Sequence, residues 1–355
     1  MARWYRTASR SSYEALEGSW CDVTSPVITA ALTLSLTGQY ERQGTEAAEG
    51  VRLWAQEAGI RLILADDHGS RSIAVDAYAG WIDGMDLLLG PYASGLVRAV
   101  APLVRDAERI LWNHGGSADD LAQPGIACLP APASTYFEGI VDEAIERKVR
   151  RLIVVQGPGP FARTVANGAT TRGTERGIDS QTVDASTVET EDLDDAALLV
   201  AGPFEHDVAV VRGLRDRRQA PALLGAVAAG IPAFGQELGE AAEGVLAPVQ
   251  WWPSSQTPRI GPSGTDFATN YQRRTGREPS YPAAQAAAAG YLAHAAHRLD
   301  LGVSDLPHWT TTTFFGDFTL DHAWRQVGHH VTTVRWQQGR MVPVAAEDGS
   351  RSPHL

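Results

Sequence analysis

Two short turns hold the residues best suited to grip a small ligand. Gly90-Pro91-Tyr92-Ala93-Ser94 follows the apolar run 86–90, and His114-Gly115-Gly116-Ser117-Ala118-Asp119 follows the apolar run 109–113. Each precedes a stretch with a helical or turn pattern. The first N–H groups of a helix have no partner inside it and carry positive partial charge. A carboxylate set against two such starts is held without a charged side chain. A serine hydroxyl adds one more hydrogen bond, and Gly115 and Gly116 would let a ligand approach the backbone closely. The plain alternative is that Ser94 and Ser117 only cap the helices behind them.

The elements that must position these turns repeat one unit. Residues 30–36 read as a strand, broken at Thr37-Gly38 and followed by a helix over 44–58. Residues 61–67 read as a second strand ending in Asp66-Asp67, with a helix over 70–83. The runs 86–90 and 109–113 are the third and fourth strands, and the third leads into a helix over 95–106. Strand, polar turn and helix in succession predict a parallel sheet covered on both faces. In such sheets ligands sit outside the carboxyl ends of the strands.

A second unit of the same kind begins after the proline-rich segment 129–133. It is predicted as a helix over 134–147 capped by Ser134 or Thr135, then strands at 151–156, 196–201, 222–225 and 245–252. Helices are predicted over 161–176 and 208–217. Helices over 264–275 and 282–299 follow, and the described pattern closes with short strands at 309–313, 316–321, 331–336 and 341–344. The last two form a hairpin about Gln338-Gly339.

The chain has 355 residues, enough for two domains with large cores. Lys and Arg total 30 against 42 Asp and Glu, a formal charge of −12, which argues against a nucleic-acid partner or a basic membrane patch. No run reaches the length of a membrane helix. Residues 1–26 contain Arg3, Arg6 and Arg10 without a following apolar segment, so they read as a poorly specified leader and not as an export signal. The chain is then expected in the cytoplasm unless its start lies upstream or it was cut from a longer protein. Cys21 and Cys128 cannot form a zinc site, and their spacing leaves a bridge between them open.

Other chemistry is weakly supported. Gly157-Pro158-Gly159 lacks the third glycine of a dinucleotide turn, there is no phosphate-loop lysine, and Gly115-Gly116-Ser117 is not a nucleophile elbow. His68, His114 and His206 are isolated, and His329-His330 are adjacent and would point to opposite faces of a strand. No triad, metal set or covalent cofactor site is expected.

The pieces, in this order, resemble the type I periplasmic solute-binding proteins, in their branched-chain amino-acid and amide branch. The resemblance spans residues 27–344. It rests on Leu36-Thr37-Gly38-Gln39-Tyr40 with Gly44 and Gly50-Val51, on Asp66-Asp67, on Gly90-Pro91 with Ser94, and on Gly115-Gly116-Ser117 with Asp119-Asp120-Leu121. It continues in Phe267, Tyr271, Gly276 and Pro279, in the alanine-rich helix of Tyr291, and in Phe315-Gly316, Phe318, Asp321, Trp336 and Gly339.

The resemblance implies two doubly wound α/β lobes joined by three crossovers near 129–133, 250–254 and 311–315. Residues 27–130 with 255–311 would form lobe 1, and 131–254 with 312–355 lobe 2. It implies a non-catalytic protein that closes both lobes on an amino acid, amide or small carboxylate. Ser94 and Ser117 would bind the ligand carboxylate, Gly115 would add a backbone contact, and Tyr40, Gln43, Tyr92 and His114 would border the cleft. Phe161 and Phe204 would line it from lobe 2.

Two departures stand out. Where relatives commonly hold the ligand ammonium with an acid, this chain has Gly225-Ala226-Val227-Ala228, leaving Glu205 one loop away as the stand-in. His114 replaces a small residue or proline. By resemblance the partner is the permease of an ABC importer, outside the cytoplasm. The alternative is a cytosolic amide sensor acting on a regulatory protein. A third class is an enzyme with Asp67, His114 or Glu205 as acid or base. No cofactor is implied by any of the first two.

Overall fold

Strands buried on both faces need neighbours at both edges and helices above and below. Leu87–Leu89 and Ala196–Ala201 are such strands, apolar and buried throughout. In the computed structural model, which describes residues 27–188 and 191–344, each is an inner strand of a separate sheet. The expected leader at 1–26, and Cys21 with it, lie outside the described residues.

The first sheet contains β1 (Thr29–Leu34), β2 (Arg61–Asp66), β3 (Leu87–Leu89), β4 (Leu111–Asn113) and β5 (Ile126–Cys128) in the order β2-β1-β3-β4-β5, all parallel. Its connections are α1 (Glu41–Glu57), α2 (Arg71–Trp81) and α3 (Ser94–Asp106). The chain then enters the second unit through α4 (Glu138–Glu146). There follow β6 (Arg151–Gln156), α5 (Pro160–Glu175), β7 (Asp179–Val183), α6 (Ala185–Val188), β8 (Ala196–Ala201), α7 (Phe204–Asp216), β9 (Leu223–Ala226), α8 (Pro232–Leu238) and β10 (Leu246–Val249). Then α9 (Gly264–Thr275) and α10 (Tyr281–Arg298) return to the first core, followed by the hairpin β11 (Thr311–Thr313) and β12 (Gly316–Phe318). Finally β13 (Thr332–Gln337) and β14 (Arg340–Pro343) add an antiparallel hairpin to the second sheet, whose order is β14-β13-β10-β9-β8-β6-β7. The molecule is therefore the doubly wound, two-lobed α/β fold that the repeated pattern predicts.

Three expectations change. The helix expected over 134–147 starts later, at Glu138, behind a single tight turn at Ala133–Thr135. Neither Ser134 nor Thr135 caps it: the Thr135 hydroxyl donates to the Pro132 carbonyl, and the Ser134 N–H donates to Asp119. The edge strand β7 carries the polar sequence DSQTV and pairs only with β6, so apolar patterning does not announce it. The third crossover does not lie at 311–315. Phe314, Phe315, Phe318, Leu320 and Trp324 all pack in the first core, so the chain crosses after Trp324 and before Thr332.

The first core depends on close approach of α1 and α10. A Cβ on Gly50 would overlap the carbonyl of Ala283, and one on Gly290 would overlap the Trp54 ring. The alanines of α10 are short for the same reason, and eight of its residues from Pro282 to Ala289 are buried in sequence.

The three crossovers are joined by buried side-chain amides. The Gln250 carbonyl Oε1 accepts from the Ala131 N–H at 3.1 Å, and its Nε2 donates to the Ala131 carbonyl at 3.3 Å. Gln326 Nε2 donates to the Leu129 carbonyl at 3.3 Å. His329 Nε2 lies 2.9 Å from the Gln250 backbone oxygen and 3.1 Å from Gln250 Oε1. Both partners only accept, so Nε2 carries the proton. The His329 ring also stacks on Phe315, with centroids 4.4 Å apart.

Two outcomes test this packing. Gly50→Ala will lower stability to urea by about 1–3 kcal/mol, because the helices must separate to admit the methyl group; unchanged stability would place the helices further apart. Burial depresses His329 to about 4. The unfolded imidazole takes a proton near its ordinary value of about 6.5, so stability present above that pH is lost as pH falls toward 4. His329→Gln removes this one group, and other titrations cancel in the difference. The urea-derived stability of the variant should lose its pH slope relative to the parent by about 1.4 kcal/mol per unit inside that window. Parallel pH profiles would show that His329 is not held neutral.

Candidate functional site

The carboxyl ends of both sheets lie at the hinge. β5 is parallel to β4 and runs at Cys128 directly into the first crossover, and β10 is parallel to β9 and runs at Val249 directly into Gln250. The strand ends of the two lobes therefore open toward each other, where the turns singled out from the sequence are found.

In lobe 1 the two turns are bound to one another. Ser94 is the first residue of α3, and Ala93 occupies the cap position without a side-chain bond. The Ser94 hydroxyl accepts the Ala118 N–H at 3.1 Å, so it links the turns and caps neither α3 nor any helix of its own. Its own hydrogen remains able to donate. Ala93 has φ 78° and ψ 137°, a region that L residues rarely enter.

The roles expected of the glycines are corrected. Asn113 Oδ1 accepts the N–H groups of Gly115 at 3.2 Å and Gly116 at 2.8 Å. Its Nδ2 donates to the Gly116 carbonyl and to the Cys128 sulfur. A Cβ at Gly115 would lie 2.6 Å from the Tyr92 ring, and one at Gly116 would lie 2.7 Å from Leu121. These glycines make room for protein side chains, and the Gly115 N–H is already bonded inside the turn.

His114 is also corrected. It was expected to border the cleft, but it is 0% exposed, and neither ring nitrogen bonds a protein group. Burial depresses it to about 4, so it is neutral. Asp67 is equally buried, accepting from Ser35 at 2.6 Å and from the Gly69 N–H at 2.9 Å. Asp66 accepts the N–H groups of Leu36 and His68. The two carboxylates that end β2 thus hold the loop after β1.

Tyrosines build the wall between the lobes. Tyr92 is nearly buried, with its hydroxyl 3.0 Å from that of Tyr281 and its ring 6.1 Å from Tyr40. Tyr136, on the lobe 2 side of the first crossover, meets Phe161 edge-on at 5.3 Å. Its hydroxyl lies near the side chains of Ser117 and Gln250, beside the hinge. Burial raises the tyrosines, Tyr281 to about 12, so their hydroxyls keep their protons. Gln43 is half-buried on α1. Ser117 also lines a pocket of about 390 Å³ beside the first and third crossovers, together with Asp119, Ser134, Glu138 and His330.

In lobe 2 Phe161 is exposed on the first turn of α5, and Phe204 is half-buried as the first residue of α7. Glu205 is exposed. Its neighbours were passed over: His206 Nδ1 lies 3.2 Å from Oδ1 of the fully buried Asp207, and Asp207 Oδ2 accepts the Ala228 N–H at 3.0 Å. Sequence reading also missed Tyr136, Tyr281 and Gln250. Tyr281 meets Tyr92 across a separation of 189 residues, which no local pattern signals.

Among the described residues no three His, Cys, Asp or Glu side chains are grouped to hold a metal ion, and no helix is long and apolar enough to cross a membrane.

A family model described as periplasmic binding protein matches residues 27–340. No curated protein matches. Among solved structures, a branched-chain amino-acid ABC transporter protein from Silicibacter pomeroyi aligns with TM-score 0.77 at 16% identity, covering 91% of this chain and 97% of that one. A leucine-binding protein from Thermotoga maritima aligns with TM-score 0.74 at 18% identity, over 90% and 98% of the two chains. An ABC-transporter solute-binding protein from R. palustris, solved with benzoate, aligns with TM-score 0.70 at 15% identity, over 90% and 96%. At these identities the structures share the fold.

Ala93 yields a test of the turn itself. Ala93→Gly relieves the positive φ at the cost of a more flexible unfolded chain, and will raise stability by about 1 kcal/mol in urea unfolding. A loss of stability would mean that the turn does not hold Ala93 in that conformation.

Proposed function

The chain belongs to the periplasmic binding protein family, and from that premise we propose that it is a non-catalytic solute-binding protein that delivers a small polar ligand to an ABC transporter. The lobes would be residues 27–130 with 255–325, and residues 131–254 with 326–344. They would close on the ligand about the amide-bonded hinge, as hinge proteins do.

One observation carries the reading. Ser117 lies at a strand end of lobe 1, yet its side chain meets Tyr136, which packs on Phe161 of lobe 2. A ligand there touches both lobes at once and favours the closed form. Ser94 and Ser117 supply hydroxyls, and the start of α3 supplies N–H groups. This set accepts a carboxylate or a carbonyl oxygen. Of the three acid–base candidates, Asp67 and His114 have no exposed surface from which to reach a substrate, which leaves an enzyme only the exposed Glu205.

The test is a thermal-shift screen of the purified protein against amino acids, short amides, urea, hydroxy acids and small aromatic acids. A ligand that binds only the folded state raises the melting temperature by mass action. Ser117→Ala is expected to weaken the best ligand by about 10-fold, the typical value of one hydrogen bond, and Ser94→Ala by less because its oxygen already accepts from Ala118. Unchanged affinity in both variants would remove the serines from the site.

A further inference from the structure

We propose that His206, held by Asp207, is the ligand-binding group of lobe 2, and that its Nε2 accepts a hydrogen bond from an N–H group of the ligand, an ammonium or a primary amide. This rests on the solute-binding reading and specifies the chemistry at the second side of the cleft.

The position is built for the ring. Gly157 and Gly202 directly follow β6 and β8, at the strand ends that open toward lobe 1. A Cβ at Gly202 would overlap the His206 imidazole, and one at Gly157 would lie 2.9 Å from its Nδ1 and 3.1 Å from its Cε1. Both strand ends therefore carry glycine where the ring lies against them. The third strand end, Gly225-Ala226-Val227-Ala228 after and within β9, has no side chain able to bond a ligand. Asp207 joins this strand end too, through the Ala228 N–H. One buried carboxylate thus holds the imidazole, which lies against two strand ends, and bonds the third.

The direction of the hydrogen bond follows from Asp207. Its oxygens receive backbone N–H groups from Ala228 and Gly202. A carboxylate accepting N–H groups acts as acceptor, so His206 Nδ1 bears a proton, and in the neutral imidazole Nε2 then presents a lone pair. No described residue bonds Nε2. Burial pushes Asp207 up to about 6, which leaves it ionised at neutral pH. With a neutral imidazole the carboxylate's negative charge lies behind an acceptor nitrogen, and a cationic or strongly polar N–H group is the complement.

The two lobes are therefore chemically unlike. Lobe 1 offers hydroxyl and backbone N–H donors, and lobe 2 offers an acceptor. The ligand must carry an acceptor oxygen at one end and an N–H donor at the other. Glu205, the acid nearest in sequence, is exposed on the first turn of α7 and is not required.

The experiment compares matched pairs by thermal shift and calorimetry at pH 7.5. Amino acids are set against the hydroxy acids of the same skeleton, and short primary amides against the corresponding carboxylic acids. The expected result is binding confined to the members with N–H groups, the amino acids and the amides reporting separately on ammonium and amide. His206→Ala and the gentler His206→Gln should each weaken the best of them by about 10- to 100-fold, the range for a hydrogen bond to a charged partner, while Glu205→Gln leaves it unchanged. Circular dichroism and the melting temperature of the unliganded variants confirm that they fold. If hydroxy acids and carboxylic acids bind as tightly as their partners, or if both His206 variants bind normally, the inference falls and the solute-binding reading stands. If no member of the panel binds, both fall.

Discussion

The pairing of the Gln250 side chain with the backbone of Ala131 is the interaction on which the arrangement of this molecule depends. Three chain segments must pass between two separately packed sheets, and each exposes peptide groups with no strand to satisfy them. A buried unpaired peptide group costs as much as a lost hydrogen bond or more. Gln250 offers the first crossover both an acceptor and a donor, as a neighbouring strand would. Gln326 and His329 bring the third crossover into the same network. The hinge is thereby a small hydrogen-bonded layer made of side chains, able to stay satisfied while the lobes on either side keep their own cores.

The hinge also decides which loops meet. Because β5 and β10 enter it from their carboxyl ends, the opposing surfaces are the strand-end turns of both sheets and the first turns of the helices that follow them. Those turns are rigid for reasons unrelated to a ligand. In lobe 1, Asn113 uses its whole amide to shape the turn after β4, and the Ser94 hydroxyl ties that turn to α3. In lobe 2, Asp207 ties the turns after β8 and β9 together. Polar groups left over at such places have fixed directions, so little ordering cost remains when a ligand reaches them.

Burial separates structural from available polar groups here. Asp66, Asp67 and His114 all sit at strand ends and all attract a functional reading from sequence. Asp66 and Asp67 are taken up by the loop after β1, and His114 lies under Tyr92 with no exposed surface. His206 looked equally isolated and is instead held at the opposing surface. The difference is burial: no part of the His114 side chain reaches the surface, whereas 19% of the His206 side chain does.

The sequence by itself determined the parallel sheets, most strand and helix positions, and the two turns worth attention. Periods of apolar residues and the punctuation by glycine and proline are local signals, and local signals suffice for elements. It missed β7, whose edge position needs no apolar face, and it set the third crossover too early, since nothing local shows which core Phe314 and Phe318 will join. It singled out Ser94 and Ser117 but gave no sign that the glycines beside them make room for Tyr92 and Leu121, because room for a side chain and room for a ligand look identical in a sequence. The tertiary structure alone decided the aromatic wall of Tyr92, Tyr136 and Tyr281, the Gln250 hinge, and the exposure of His206 in place of His114. Each of these depends on groups far apart in the chain, and hydrogen bonding and burial act on distance in space and not along the sequence.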